Sequence, residues 1–171
     1  MEKDLKIALN MIVSETEPVN LVQRAIGSVA ESVDGIFVTV TYKEKKPKES
    51  DLLKFLASIG ATVSLWKWTY RFDEARNFAT SQIPKDFEFY LWIDADDIWQ
   101  GVEHIRPLVK EAYIYNIGAI FFDYLYMVEL DEKGKIKEVL VQHKRERIIR
   151  HNGCFKWIGR LHETLIEQRS G

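Results

Sequence analysis

The sequence has little cysteine, no long apolar run and almost no net charge. Cys154 is the only cysteine among 171 residues, so an intrachain disulfide is excluded and a reducing cytoplasm fits. No apolar run approaches the roughly 20 residues of a membrane-spanning helix. The formal net charge of -2 gives no general attraction to nucleic acid. We therefore expect a cytoplasmic protein without a transmembrane segment, which would reach any membrane-bound substrate from the inner face of the membrane.

The chain contains enough apolar material for one folded domain. Hydrophobic residues make up 46%, aromatic residues 12% and charged residues 29%, which is typical of globular proteins. We expect a single compact domain with two halves, residues 1–100 and residues 101–171. The tail stops without a clear final element, so we expect the second half to be truncated.

The first half alternates strands and helices. Short apolar runs predict strands at 6–13, 35–42, 61–68 and 87–93, and helical spacing predicts helices at 18–32, 51–60 and 72–83. This alternation predicts an α/β fold with a mostly parallel sheet and right-handed crossovers.

The second half has a different pattern. We expect a helix at 101–116, then two apolar stretches joined by a hairpin turn at "DEKGK". The tail from residue 151 reads as a loop at first and as a helix at its end.

Three carboxylates, Asp94, Asp96 and Asp97, directly follow the apolar run of the fourth predicted strand. Residues i and i+2 of an extended segment point the same way, and two aligned carboxylates repel each other unless a cation lies between them. Mg²⁺ and Mn²⁺ prefer oxygen ligands, and Mg²⁺ usually combines one or two carboxylates with substrate phosphates. Because ligands collect at the carboxyl ends of parallel strands, the pattern predicts a metal-bound diphosphate. The alternative is an ordinary acidic turn, with Asp94 or Asp97 capping the next helix and Asp97 otherwise solvated.

Five segments, in chain order, resemble the GT-A glycosyltransferases and particularly their family 2. "YLWIDADD" is similar to the Asp-x-Asp motif, and "RFDEARNFAT" to the helix that precedes it. The remaining three are "IALNMIVSETEP", "VQRAIGSVAESVDGIFVTV" and "RIIRHNGCFKWIGRLHETL". The resemblance implies a GT-A fold: a Rossmann-like, mostly parallel sheet flanked by helices, with a smaller mixed or antiparallel C-terminal part. It also implies inverting transfer of a sugar from a nucleotide-sugar, a UDP-sugar foremost, to a glycan or lipid-linked acceptor, assisted by Mn²⁺ or Mg²⁺.

The resemblance assigns roles on the donor side. Asp96 would be the main metal ligand, Asp94 would contact the donor or the metal through water, and His162 would contact the metal or the diphosphate. Thr41 stands where many relatives carry an aspartate that contacts the base, which leaves the donor open. The full donor set is Asn10, Val13, Glu15, Thr41, Arg76, Asn77, Asp94 and Ala95.

Catalysis and acceptor binding fall on other residues. Inverting transfer needs a general base, for which Glu163 is the first candidate by resemblance and Asp123 the second. A charge within the apolar run "AIFFDYLY" suggests burial and a raised pKa, although Asp123 facing solvent is equally consistent with the pattern. On the acceptor side we expect Trp99, Trp157 and Arg150.

Three other functions compete with sugar transfer. A haloacid-dehalogenase-type phosphatase also has Asp-x-Asp after a buried strand, but that motif normally opens the domain. A nucleotidyltransferase shares the general fold, but its glycine-rich opening loop is missing here. The third is a domain of the same fold that binds a nucleotide or glycan without turnover, which the threonine at position 41 supports.

Overall fold

The computed structural model describes residues 4–168. Within these residues, four helices and eight strands follow one another, with short 3-10 turns at 30–32 and 102–104. Their bounds are β1 Ile7–Ser14, α1 Val19–Gly27, β2 Gly35–Tyr42, α2 Asp51–Ser58, β3 Thr62–Lys67, α3 Phe72–Ser81, β4 Phe89–Trp92, α4 Ile105–Ile114, β5 Ala119–Leu130, β6 Ile136–Arg150, β7 Phe155–Ile158 and β8 Thr164–Glu167.

Six of these strands form one sheet in the order β3-β2-β1-β4-β6-β5. The first four are mutually parallel, whereas β6 runs antiparallel to β4 and β5 runs antiparallel to β6. The predicted α/β class with a mostly parallel sheet is therefore confirmed. Since β6 pairs with β4, a single sheet continues from the first half of the chain into the second.

Two predictions of local structure are wrong. The predicted helix late in the tail is absent from the described residues, because Thr164–Glu167 forms β8 and pairs antiparallel with β7 as a separate two-stranded sheet. The β-branched residues Thr164 and Ile166 favour this strand over a helix. The helix predicted over 18–32 ends at Gly27 and continues only as a 3-10 turn at 30–32.

The sheet buries side chains on both faces. In β1, Ile7, Leu9 and Met11 belong to the larger core cluster, while Ala8 points to the opposite face. That second face holds the smaller cluster, which includes Tyr90 and Trp92 of β4 and Trp157 of β7. Trp92, the last residue of β4, therefore lies on this second face. α3 and β7, which contact each other, lie on the same side of the sheet.

The outer part of β6 forms a long ribbon with β5. Only Ile148–Arg150 of β6 pairs with β4, so the rest of β6 has β5 as its partner in the described chain. The β5–β6 pairing contains four register shifts, the first between Ile120 and Phe121. No helix within residues 4–168 combines the length and apolar character needed to cross a membrane.

Candidate active site

The three aspartates after β4 form a tight turn rather than an extended segment. The Asp97 N–H donates to the Asp94 carbonyl over 3.1 Å, and the Asp94 N–H donates to the Asp97 carboxylate over 2.9 Å. The expectation of two aligned carboxylates on an extended segment is therefore wrong. Asp96, at the tip of the turn, is exposed and makes no hydrogen bond or ion pair within residues 4–168.

Arg76 joins Asp94 to Glu163. Its Nη2 donates to Asp94 Oδ1 over 2.8 Å, and its Nε donates to Glu163 Oε1 over 3.2 Å. The side chains of Arg76 and Glu163 are 6% and 12% exposed, whereas Asp94 keeps 43% of its surface accessible. These residues lie on α3, after β4 and before β8, so the fold assembles three sequence-predicted site residues from distant parts of the chain.

The same arginine sets the charge state of Asp94. Burial acts to raise the pKa of the Asp94 carboxyl, but the Arg76 charge and hydrogen bond, with Arg147 and Arg145 further off, outweigh it. The pKa of Asp94 therefore lies below its ordinary value. Burial lowers the pKa of Arg76, yet the two carboxylates outweigh that effect as well and raise it. At neutral pH both members of the Arg76–Asp94 pair are therefore charged. We call Arg76, Asp94 and Glu163 the charge cluster.

Arg147 of β6 holds the acidic turn from its other side. Its Nη1 donates to Asp97 Oδ2 over 2.9 Å, and the guanidinium lies 4.1 Å from the Trp92 ring centroid and 4.6 Å from that of Tyr124. Burial and the nearby Asp97 charge raise the pKa of Tyr124 to about 12. The reading of Asp97 as a helix cap or a solvated charge is wrong, because its side chain is 12% exposed and paired with a buried arginine.

Two tryptophans surround the Arg76 guanidinium. It lies 4.1 Å from the Trp92 ring centroid and 5.6 Å from that of Trp157. Trp157 is 2% exposed and packs edge-on against Trp92, so it belongs to the core rather than to an open acceptor cleft. The Asn77 side-chain amide donates to the Trp157 carbonyl over 2.8 Å and accepts from the Trp157 N–H over 2.9 Å. The amide that we expected to bind the donor is therefore already engaged.

A tight loop at residues 159–163, which we call the glycine loop, positions Glu163. Gly159 has φ +109°, and a Cβ at this position would lie 2.7 Å from the His162 carbonyl oxygen. Only glycine fits this conformation comfortably. His162 follows in the same loop with its side chain exposed, and Glu163 points inward to Arg76.

Several residues of the predicted donor set are packing residues. Asn10, Val13 and Ala95 are each at most 8% exposed, and the Asn10 amide donates to the Ala79 carbonyl over 3.0 Å. The Thr41 hydroxyl donates to the Val13 carbonyl over 3.3 Å. By contrast, Glu15 lies just beyond β1, where its carboxylate accepts a hydrogen bond from the Lys43 N–H.

The remaining candidates lie away from the charge cluster. Asp123 is 53% exposed and pairs with Lys144 over 3.3 Å, so the expected burial is wrong and the solvent-facing alternative is right. Arg150 donates to the carbonyls of Ala112 and Ile117 around the end of α4, which is a structural contact rather than an open acceptor site. Trp99 packs against Phe122 at 4.6 Å and lines a surface groove.

Within residues 4–168, no three His, Cys, Asp or Glu side chains stand close enough together to hold a metal ion. Asp94, Asp96 and His162 therefore do not form a ready three-ligand set. The donors and acceptors left open are instead the exposed Asp96 carboxylate and Arg76 Nη1, which is buried and has no partner in the described chain. This combination suits a cation whose coordination is completed by phosphate oxygens.

Only one member of the Arg147–Asp97 pair has a signal in the sequence. Arg147 directly precedes Ile148 and Ile149, both fully buried, so a charged side chain there requires a partner inside the protein. Nothing in the sequence identifies that partner as Asp97, which lies 50 residues earlier.

No family model matches the sequence, and no curated protein matches it. Among solved structures, the chain is similar to 4-diphosphocytidyl-2C-methyl-D-erythritol synthase from Anaerococcus prevotii, with a TM-score of 0.52 and 10% identity. That alignment covers 86% of this chain and 70% of the synthase. TarS 1–349 from S. aureus aligns with a TM-score of 0.44 and 16% identity, over 66% of this chain and 33% of TarS. The mannosyltransferase PcManGT from Pyrobaculum calidifontis, in complex with GDP-Man and Mn²⁺, aligns with a TM-score of 0.44 and 18% identity, over 67% of this chain and 34% of PcManGT.

These similarities concern the fold. The overlap with the synthase and the strand order agree with the GT-A type of α/β fold, so this prediction is confirmed. The overlaps with TarS and PcManGT are too low in TM-score to support an argument. The chain spans about a third of the length of those two proteins.

Proposed function

We propose that the chain is the donor-binding and catalytic domain of a metal-dependent, inverting glycosyltransferase that uses a nucleotide-sugar. The observation that carries this proposal is the Arg76 bridge. It connects Asp94 of an acidic turn at the carboxyl end of β4 with Glu163 of the glycine loop. The buried Arg76 side chain thus holds both Asp94, beside the proposed diphosphate site, and Glu163, the proposed proton acceptor.

The diphosphate would lie at the tip of the acidic turn. Asp96 offers a free carboxylate to Mn²⁺ or Mg²⁺, and Arg76 Nη1 offers a buried donor to a phosphate oxygen. When bound, the cation would act as a Lewis acid that stabilises the leaving nucleoside diphosphate. Asp94, already held by Arg76, would orient the turn or contact the sugar.

Glu163 would act as the general base. The acceptor oxygen attacks the anomeric carbon of the donor sugar while the bond from that carbon to the diphosphate oxygen breaks. The electron pair of that bond leaves with the nucleoside diphosphate, and the acceptor hydroxyl proton passes to the Glu163 carboxylate. Asp123 is less suited to this role because it is exposed and paired with Lys144. The acceptor class that we propose is a glycan or a lipid-linked glycan.

Metal-dependent nucleotide binding tests the donor site. The melting temperature should rise when UDP or GDP is added together with Mn²⁺, and less when either is added alone. Asp96→Ala should abolish the metal-dependent part of this rise. Asp123→Ala, which removes an exposed acid elsewhere, should retain it. If the wild-type protein responds to no nucleotide, the proposed donor site does not exist.

Turnover separates an enzyme from a domain that only binds. With Mn²⁺ and a bound donor, slow hydrolysis of the nucleotide-sugar should be measurable and should fall at least about a hundredfold in Glu163→Gln. Nucleotide binding should survive in this variant because the amide keeps the shape of the side chain. Binding without any donor hydrolysis or transfer in the wild type would favour the non-catalytic alternative.

A further inference from the structure

Three neighbouring aromatic side chains, two of them exposed, lie beyond the carboxyl end of β3. Trp68, Tyr70 and Phe72, which we call the aromatic patch, lie at the start of α3 and in the segment before it. The Trp68 ring contacts Phe72 at 4.8 Å and Tyr70 at 6.5 Å between centroids. Tyr70 is 62% exposed and Phe72 38% exposed, while Trp68 is half-buried. Large aromatic faces grouped at the surface are a common feature of binding sites.

The backbone of the patch is held in an unusual conformation. Tyr70 has φ +60°, which is uncommon for a residue with a bulky side chain. Such residues cluster at ligand-binding and catalytic sites, where the surroundings fix them. Here the Arg160 side chain donates to the Tyr70 carbonyl over 3.4 Å, and the Phe72 N–H donates to the Arg160 carbonyl over 3.1 Å. The patch is thereby joined to the glycine loop that carries Glu163.

The two strands that lead into the acidic turn and into the patch end at a suitable distance from each other. Strands β4, β1, β2 and β3 are neighbours in that order, so three strand spacings, about 14 Å, separate the ends of β4 and β3. This is the order of length of an extended nucleoside diphosphate between its terminal phosphate and its base. Along α3, Phe72 precedes Arg76 by about one turn, so one helix contributes to both ends of such a ligand.

We infer that the aromatic patch binds the nucleobase of the donor by stacking. This inference rests on the proposed function and specifies how the same site would recognise its nucleotide. Thr41, at the end of β2, is 8% exposed and its hydroxyl is bound to Val13, so it offers the base little hydrogen bonding. Stacking on aromatic rings tolerates different bases, because every base has a π face.

Comparing UDP with inorganic pyrophosphate tests the inference, because pyrophosphate lacks the base. Calorimetric titrations with the same divalent cation should show that Trp68→Ala weakens UDP binding at least about fivefold. Its binding of pyrophosphate should stay within about twofold of wild type. Tyr70→Ala, which loses little packing, should show the same selective loss, and Trp68→Phe should retain most of the affinity. Tyr115→Ala is the matched control, since Tyr115 is 70% exposed and follows α4.

The other outcomes overturn the inference in distinguishable ways. If UDP binds equally well to the wild type, Trp68→Ala and Tyr70→Ala, the donor site remains but the patch does not bind the base. If Trp68→Ala and Tyr70→Ala lose UDP and pyrophosphate equally, the patch has only a structural role. If the wild type binds pyrophosphate and gains nothing from the nucleoside, base stacking is excluded at any position. If the wild type binds neither ligand, the proposed donor site and this inference fail together.

Discussion

Two buried arginines hold the acidic turn, and each contacts the ring of Trp92. Arg76 pairs with Asp94, whereas Arg147 pairs with Asp97, and both guanidiniums lie 4.1 Å from the Trp92 centroid. Because the Asp97 carboxylate also accepts the Asp94 N–H, Arg147 acts on Asp94 and Asp96 through the shape of the turn. It is a positioning residue that need not touch the ligand.

Removing Arg147 should loosen the turn. Arg147→Met leaves the Asp97 carboxylate, 12% exposed, without its cation, and breaking a buried pair in this way costs about 3 kcal/mol. We expect faster amide hydrogen exchange in residues 93–98 and weaker Mn²⁺-dependent UDP binding. Arg150→Met, an arginine of the same strand that contacts the end of α4, should destabilise the fold without exposing the turn amides. Unchanged exchange in Arg147→Met would contradict the positioning role.

The lowered pKa of Asp94 predicts how its contribution to stability depends on pH. A carboxyl whose pKa is lower in the folded state stabilises the fold above its unfolded pKa of about 3.9, and this contribution is lost as pH falls through the folded value. Asp94→Asn should therefore be less stable than wild type at pH 7, and the difference should shrink below about pH 4. Urea unfolding at several pH values measures this difference in unfolding free energy. Ser58→Ala removes a hydroxyl that does not titrate in this range, so its stability difference from wild type should not change with pH.

At the scale of elements, the clamp between Asn77 and Trp157 joins α3 to β7. The Asn77 amide donates to the Trp157 carbonyl and accepts from its N–H, so one side chain replaces a strand partner for a fully buried residue. This contact fixes the start of the segment whose later residues, Gly159 and Glu163, enter the candidate site.

Substitutions at Asn77 should test the two hydrogen bonds of the clamp. Asn77→Ala leaves a buried N–H and a buried carbonyl unpaired and should cost about 2–4 kcal/mol in unfolding free energy. Asn77→Asp keeps the acceptor but places a carboxylate oxygen against the Trp157 carbonyl, so chemical denaturation at pH 7 should show a loss at least as large as that of Asn77→Ala. Ser58→Ala, which removes an exposed hydroxyl bond at the end of α2, is a control that should have little effect. Equal stability of Asn77→Ala and wild type would exclude a structural role for the clamp.

The sequence predicted the helices and strands more accurately than the contacts between distant residues. The parallel strands and their helices follow from local apolar periodicity, and β2 was predicted at the observed bounds of 35–42. The resemblance placed Arg76, Asp94 and Glu163 in one site, and the structure brings these three together. The roles of Asn77, Trp157 and Arg150 depend on partners up to 80 residues away, which periodicity does not encode.

At the scale of the whole molecule, the candidate site depends on the sheet but not on the outer ribbon. β6 contacts β4 through Ile148–Arg150, which Arg147 directly precedes, whereas the hairpin turn lies at the far end of the strand. The ribbon also exposes large apolar side chains, including Tyr126, Leu130 and Leu140.

Shortening the ribbon should leave the candidate site unchanged. Replacing residues 128–140 with Asn-Gly would join Met127 to Val141, which are opposite one another in the present pairing. We expect Mn²⁺-dependent stabilisation by UDP to equal that of the full chain, measured by melting temperature. A loss of this response in a protein that is still folded would show that the ribbon contributes to the donor site.

The register shifts of the β5–β6 ribbon have a consequence for self-association. β5 is the outermost strand of the sheet in the described chain, and its 12 residues would otherwise present a long, regular edge to another molecule. Shifts between Ile120 and Phe121, after Leu125, after Met127 and after Glu129 interrupt that regularity. A second strand could match such an edge for only a few residues at a time. We therefore expect the irregular pairing within the ribbon to disfavour the addition of a strand from another molecule to β5.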